Sequence, residues 1–211
     1  MDSEWREEVD RAVESIWEAF PSRGTNHDAL VYSMEYYARQ NGKARWAEKT
    51  PGYIYYLDLI RSVCLDARIV HMIRDRRDLL ASYKIRDQRF REGSRSQIED
   101  AFLVFYDPFA ILIAWLAAIK AGRTATSLYG SDYVEVRFED LVGNPEKTLR
   151  RPCETLDLNF DEQILKVNPV NPAYSADLGR SGFNATAVGR WRSQLSVAEQ
   201  KLCGTIVHGP M

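Results

Sequence analysis

Arg74 and Ser82 stand eight positions apart where an apolar run gives way to an arginine-rich stretch, and together they could hold a phosphate. Arginine offers a planar fork of donors and serine a hydroxyl donor, a pairing suited to a tetrahedral oxyanion. From Arg74 to Arg95 there are eight Lys or Arg against four Asp or Glu, a local excess of four positive charges in a chain of formal net charge −2. Arg86 or Arg89 could add a further charge to such a site. The other reading of the same residues is a solvated basic helix face, with Arg74 capping a carbonyl. A second cation, Lys49, precedes Thr50-Pro51. Threonine as N-cap and proline at the first helical position mark a helix start, so Lys49 stands just outside a helix amino terminus, where an anion is favoured. An ordinary exposed lysine is the alternative.

These groups need elements to position them. Ile69, Val70, Met72 and Ile73, interrupted only by His71, predict a strand over residues 67–73 buried on both faces. Asp75-Arg76-Arg77-Asp78 ends it. Leu79, Leu80 and Tyr83 then give a helical apolar face, while Asp78, Ser82, Arg86 and Arg89 share a separate polar stripe. Arg74 and Ser82 are thereby expected to converge at the carboxyl end of a strand beside a helix amino terminus, where open α/β sheets bind anions.

Elsewhere, helical spacing of apolar residues predicts a helix over residues 4–20, broken by Pro21-Ser22-Arg23-Gly24-Thr25-Asn26, and a second from about Asp28 to Asn41, stopped by Asn41-Gly42. Ile54, Leu57, Ile60 and Val63 give the helix after Thr50 its buried face. The polar stretch Gly93 to Ser96 reads as a flap or a plain loop. A helix from about Pro108 to Gly122, apolar almost all round, is expected to be central. A second strand, Tyr133 to Phe138, precedes a helix opened by Asn144-Pro145 and ending near Leu156. Glu139 and Asp140 resemble acidic catalysts but read better as hydrogen-bonding supports for the sheet and the following helix. Ser196 caps a last helix, with Glu199 at the capping-box position. The order of elements predicts an α/β fold, a three-layer parallel sheet with helices on both faces.

Length and composition set bounds. A chain of 211 residues, 45% hydrophobic and 27% charged, fits a single domain over residues 1–211. Its three cysteines are widely spaced with no CxxC pair, and there are three histidines, which argues against a disulfide framework or a zinc site and for a reducing, cytoplasmic setting. The apolar run from Phe109 to Ile119 is too short to span a bilayer. Acidic and basic residues crowd the first positions, unlike a signal peptide. Near-neutral charge disfavours general nucleic-acid binding.

Four blocks resemble the sulfotransferases that use 3′-phosphoadenosine 5′-phosphosulfate (PAPS). Trp46-Ala47-Glu48-Lys49-Thr50-Pro51 is similar to that family's EKTP segment. Ile73-Arg74-Asp75-Arg76-Arg77-Asp78-Leu79-Leu80-Ala81-Ser82 resembles its 3′-phosphate motif, with the same spacing from Arg to Ser. Val136-Arg137-Phe138-Glu139-Asp140-Leu141, followed by Asn144-Pro145-Glu146, resembles its later strand and helix. Gly189-Arg190-Trp191-Arg192 looks like the loop that closes over the nucleotide. The blocks cover roughly residues 40–203. The resemblance implies a phosphate-loop-kinase-like fold, PAPS as sulfuryl donor without a metal, and a hydroxyl or amine acceptor. It implies that Arg74 and Ser82 bind the 3′-phosphate, that Arg190 adds a contact from the closing loop, and that Lys49 lies near the transferred sulfuryl group. Glu48 or His27 would be the general base, by residue type.

The family pattern also begins with a buried strand running into a loop that resembles PRSGTT and holds the 5′-phosphosulfate. Pro21-Ser22-Arg23-Gly24-Thr25 has similar letters in another order after an amphipathic helix, so the expectation is a sequence that starts inside a longer pattern. A sheet lacking that strand would expose an edge and an apolar surface, and could pair with a second copy as a homo-oligomer. A non-catalytic nucleotide-binding or interaction domain is therefore the competing reading. A phosphate-loop kinase is disfavoured, because GxxxxGK[ST] is absent.

Overall fold

Two short parallel strands, β1 (Ile69–Ile73) and β2 (Tyr133–Arg137), pair in register from Ile69 opposite Tyr133 to Ile73 opposite Arg137. The structure, a computed structural model, describes Arg11, Glu14 and residues 26–91, 106–166 and 182–205. The helix expected over residues 4–20 is described only at Arg11 and Glu14, both helical, and the stretches at 21–25 and 93–96 lie outside the described residues. Packing divides the chain into two compact units, Met1–Ala67 and Arg68–Met211.

In the first unit, α1 (Asn26–Gln40) ends as its sequence predicts. Gly42 adopts φ +62° and donates its N–H to the Arg39 carbonyl, while Lys43 donates to that of Ala38, the paired bonds of a glycine-terminated helix. Thr50 does hold the N-cap position and Pro51 the first turn, but the element they open is a 3₁₀ turn, Pro51–Tyr55, followed by α2 (Leu57–Val63). Thr50 does not cap with its side chain. Its hydroxyl donates instead to Glu48 Oε1 at 2.7 Å.

In the second unit the chain leaves β1 into α3 (Arg76–Arg91) and later forms α4 (Pro108–Tyr129), β2, α5 (Phe138–Gly143), α6 (Pro145–Thr155), α7 (Trp191–Gln194) and α8 (Val197–Thr205). Asp107 starts α4, accepting from the N–H groups of Phe109 and Ala110, and Asn144 starts α6, accepting from Lys147. Leu80 and Ala81 of α3, Ile111 and Leu112 of α4, Leu195 and Cys203 form the core. Fully burying a leucine such as Leu80 or Leu112 contributes about 1.5–3 kcal/mol.

Three expectations need correction. The described sheet has two strands, so it does not itself show three layers. β1 is not covered on both faces: Val70 and Met72 are 40% and 47% exposed, although their register partners Val134 and Val136 are buried. Among the described residues, the helices α5 and α6 pack chiefly against β2 rather than against that side of β1. Finally, α4 runs seven residues past Gly122. That glycine is a point of close approach: a Cβ there would lie 2.6 Å from both His71 Nδ1 and Tyr133 Oη, which bond to each other at 2.6 Å beneath the helix. Extended in this way, the segment Pro108–Asp132 is long and apolar enough to cross a membrane by length and composition, where the run to Ile119 is not. In the second unit α4 packs against α3, α8 and both strands.

Ser196 and Glu199 close the capping box at the start of α8, the serine N–H bonding Glu199 Oε2 at 2.6 Å and the glutamate N–H bonding Ser196 Oγ at 3.3 Å. Lys84 and Tyr106 bind the same carboxylate at 2.8 and 2.5 Å. Burial alone would raise the Glu199 pKa, but these donors outweigh it and hold the group at about 2, below the ordinary 4.5. A carboxylate depressed on folding stabilises the fold above its unfolded pKa and loses that contribution as pH falls through the folded one. Acid titration followed by circular dichroism is therefore expected to show stability falling between about pH 4.5 and 2. Glu199→Gln should flatten that part of the curve; an unchanged acid limb would remove Glu199 as its source.

Candidate functional site

Arg74 directly follows the last residue of β1, as predicted, and its backbone is pinned from two sides. Its carbonyl accepts the Trp115 indole N–H of α4 at 2.9 Å, and the next N–H, that of Asp75, bonds Glu139 Oε1 of α5 at 2.8 Å. Through that oxygen Glu139 supports the end of the strand, as its place in the sequence suggested. The Arg74 guanidinium lies over the Phe138 ring, 4.5 Å from its centroid, which orients the charge at the carboxyl end of the sheet. Ser82 sits one turn beyond Asp78 on α3, half-buried, its side chain making no hydrogen bond to a described residue.

Most of the local positive charge is committed internally. Arg76 donates to the Cys203 carbonyl at 2.9 Å. Arg77 forks onto Asp75 and lies over the Trp191 ring at 4.3 Å. Lys84 pairs with Glu199, Arg91 with Asp87, and Arg86 lies over Tyr83. Burial pushes the Asp75 pKa up, but the Arg77 hydrogen bonds and charge outweigh it and hold the carboxyl below the usual range. The excess that drew attention in the sequence is therefore largely a set of fastenings, with Arg74 as the cation placed at the strand end. The side chains of Arg89 and of His27 lie outside the described residues.

Asp78 departs from expectation. Rather than lining a solvated stripe it is 2% exposed, and its carboxylate accepts the backbone N–H of Gly189 at 2.7 Å and of Trp191 at 3.0 Å. These bonds bring the Gly189 loop onto α3. Arg190, between the two held amides, donates through Nε to the Thr186 carbonyl at 2.8 Å and through Nη2 to its hydroxyl at 3.2 Å. Arg74, Ser82 and the loop bearing Arg190 thus belong to one local structure. Sequence reasoning missed Asp78, Trp115 and Phe138. The signal for Asp78 was an acidic residue in the first turn of a helix, which usually means no more than a favourable dipole.

Glu48 and Lys49 belong to the first unit, and both are exposed. One Glu48 oxygen holds the Thr50 hydroxyl, while Lys49 makes no ion pair among the described residues.

The profile of the sulfotransferase family matches residues 5–162, about three quarters of the sequence. The chain belongs to the sulfotransferase family. Two solved sulfotransferase domains share its fold at low identity. One, from the curacin biosynthetic pathway, has a TM-score of 0.56 and 16% identity over 85% of this chain and 66% of that one. The other, from the olefin synthase of Synechococcus PCC 7002, has a TM-score of 0.50 and 18% identity over 95% of this chain and 75% of that one. This sulfotransferase chain therefore spans just under two thirds of the length of the first. No protein of curated function matches it. The family match takes in the Lys49 and Arg74–Ser82 blocks and stops short of the Gly189 loop, whose attachment to the site rests on Asp78.

Proposed function

We propose that this chain transfers a sulfuryl group from PAPS to a hydroxyl or amine acceptor. The observation that carries the reading is the Arg74–Ser82 pair: an arginine fixed at the carboxyl end of a parallel strand and a serine hydroxyl on the adjoining helix. That arrangement suits a nucleotide 3′-phosphate, with Arg74 supplying charge, Ser82 a hydroxyl donor, and Arg190 a further cation from the loop held by Asp78. The whole-protein fold on this reading is three-layered and phosphate-loop-kinase-like.

PAPS would supply the electrophilic sulfur, and the chain's own work would be positioning and charge stabilisation. Glu48 is assigned the acceptor's proton as the acceptor oxygen or nitrogen bonds to sulfur and the sulfur–phosphate oxygen bond breaks, releasing 3′-phosphoadenosine 5′-phosphate. The Thr50 hydroxyl donates to Glu48 Oε1 at 2.7 Å, so the carboxylate is held beside the start of the 3₁₀ turn. Lys49 is assigned to the charge on the sulfuryl and leaving oxygens.

Calorimetric titration with 3′-phosphoadenosine 5′-phosphate, against 5′-AMP lacking the 3′-phosphate, tests the reading. Selective micromolar binding is expected; a folded chain that binds neither, or both equally, would overturn it. A second reading, a nucleotide-binding domain without catalysis, is favoured by one observation in the sequence: Pro21-Ser22-Arg23-Gly24-Thr25 has the letters of the 5′-phosphosulfate loop in another order. Binding without sulfuryl transfer from PAPS to any of a panel of phenols, alcohols and amines would select it.

A further inference from the structure

We infer that Asp78 is a positioning residue that latches the Gly189–Trp191 loop to α3 and so sets Arg190 for the nucleotide; this rests on the nucleotide-binding reading above. The carboxylate is 2% exposed, and among the described residues each oxygen accepts one bond: Oδ2 from the Gly189 N–H and Oδ1 from the Trp191 N–H, the amides flanking Arg190. Holding both neighbours fixes the backbone of the residue between them. A buried carboxylate is costly unless satisfied, so the loop and the helix need each other.

Three further features tune the latch. Gly189 has φ +81°, a left-handed conformation that favours glycine at the sharp turn into the carboxylate. Trp191 carries the Arg77 and Arg192 guanidiniums over its ring at 4.3 and 4.7 Å, and Arg77 is itself tied to Asp75 next to Arg74. Asp78 and Ser82 are i and i+4 on α3, so the loop is fastened on the side of the helix that carries the phosphate hydroxyl. Arg190 meanwhile rests on Thr186, whose own N–H and hydroxyl are held by Asn184. The loop is thus anchored at its backbone, with the arginine side chain bonded to the Thr186 carbonyl and hydroxyl.

The test is a double-mutant cycle. Asp78→Asn keeps the volume but replaces one acceptor by an NH₂ facing an N–H, and should weaken 3′-phosphoadenosine 5′-phosphate about tenfold or more in the wild-type background. In an Arg190→Ala background the same change should cost less than about twofold, because the residue it positions is gone. Equal losses in the two backgrounds would overturn the latch and leave Asp78 a helix-stabilising residue. Residue-resolved amide hydrogen exchange on the unaltered chain keeps the inference testable whether or not the nucleotide binds or the variant folds. Protected Gly189 and Trp191 amides are expected, and exchange as fast as in an exposed loop would refute the latch. Protected amides in a chain that ignores the nucleotide would instead defeat the nucleotide reading and, with it, the assigned role of Arg190.

Discussion

Arg74→Ala is expected to weaken binding of 3′-phosphoadenosine 5′-phosphate by about 1.5–3 kcal/mol, tenfold or more, the range for a hydrogen bond to a charged group. Affinity for 5′-AMP should barely change, so the variant should lose selectivity along with strength. The structure gives a reason to trust the substitution as a local probe. Arg74 is fastened through its backbone carbonyl to Trp115, and Asp75 through its N–H to Glu139, so neither bond depends on the side chain. Alanine does remove the guanidinium from the Phe138 ring. Unchanged selectivity by calorimetry would take Arg74 out of the phosphate site.

Lys49→Ala is expected to lower kcat for sulfuryl transfer by about 10²–10³, with little change in donor KM, if the ammonium acts on charge that develops in the transition state. Lys49 is exposed, and truncating it removes no buried packing, so the fold should be unaffected. Equal losses in kcat/KM and in donor affinity would assign the lysine to ground-state binding. Full activity would return it to an ordinary surface cation.

Much of this was legible in the sequence because it is written in local patterns. The αL glycine ending α1, the Asn144-Pro145 start of α6 and the Ser196–Glu199 capping box each depend on residues within a few positions of one another. The placing of Arg74 and Ser82 was legible for the same reason, since one strand, one turn and one helix fix their positions. What could not be seen depends on contacts between distant segments. Gly122 looked like a helix stop because its real constraint, the His71–Tyr133 pair under α4, comes from two other elements. Asp78 looked solvated because its partners lie more than a hundred residues away. The basic stretch looked available because the groups that occupy it, among them Glu199, the Cys203 carbonyl and the Trp191 ring, arrive late in the chain. The open side of β1 has a similar origin. Alternation and apolarity tell which residues want cover, but not which neighbouring helix reaches them.

The fastening of the Gly189–Cys203 segment also fixes the order in which this domain can be completed during synthesis. Asp78 meets Gly189 across 111 positions, Lys84 meets Glu199 across 115, and Arg76 meets Cys203 across 127. At about 5–20 residues per second, the ribosome delivers those partners roughly 6–25 seconds after the helix that awaits them. Over that interval Asp78 must remain hydrated, and the packing around Leu80, Leu112 and Cys203 stays unfinished. Helix α3 therefore reaches its final form as one of the last events of folding, although it is among the earlier parts of the second unit to be made.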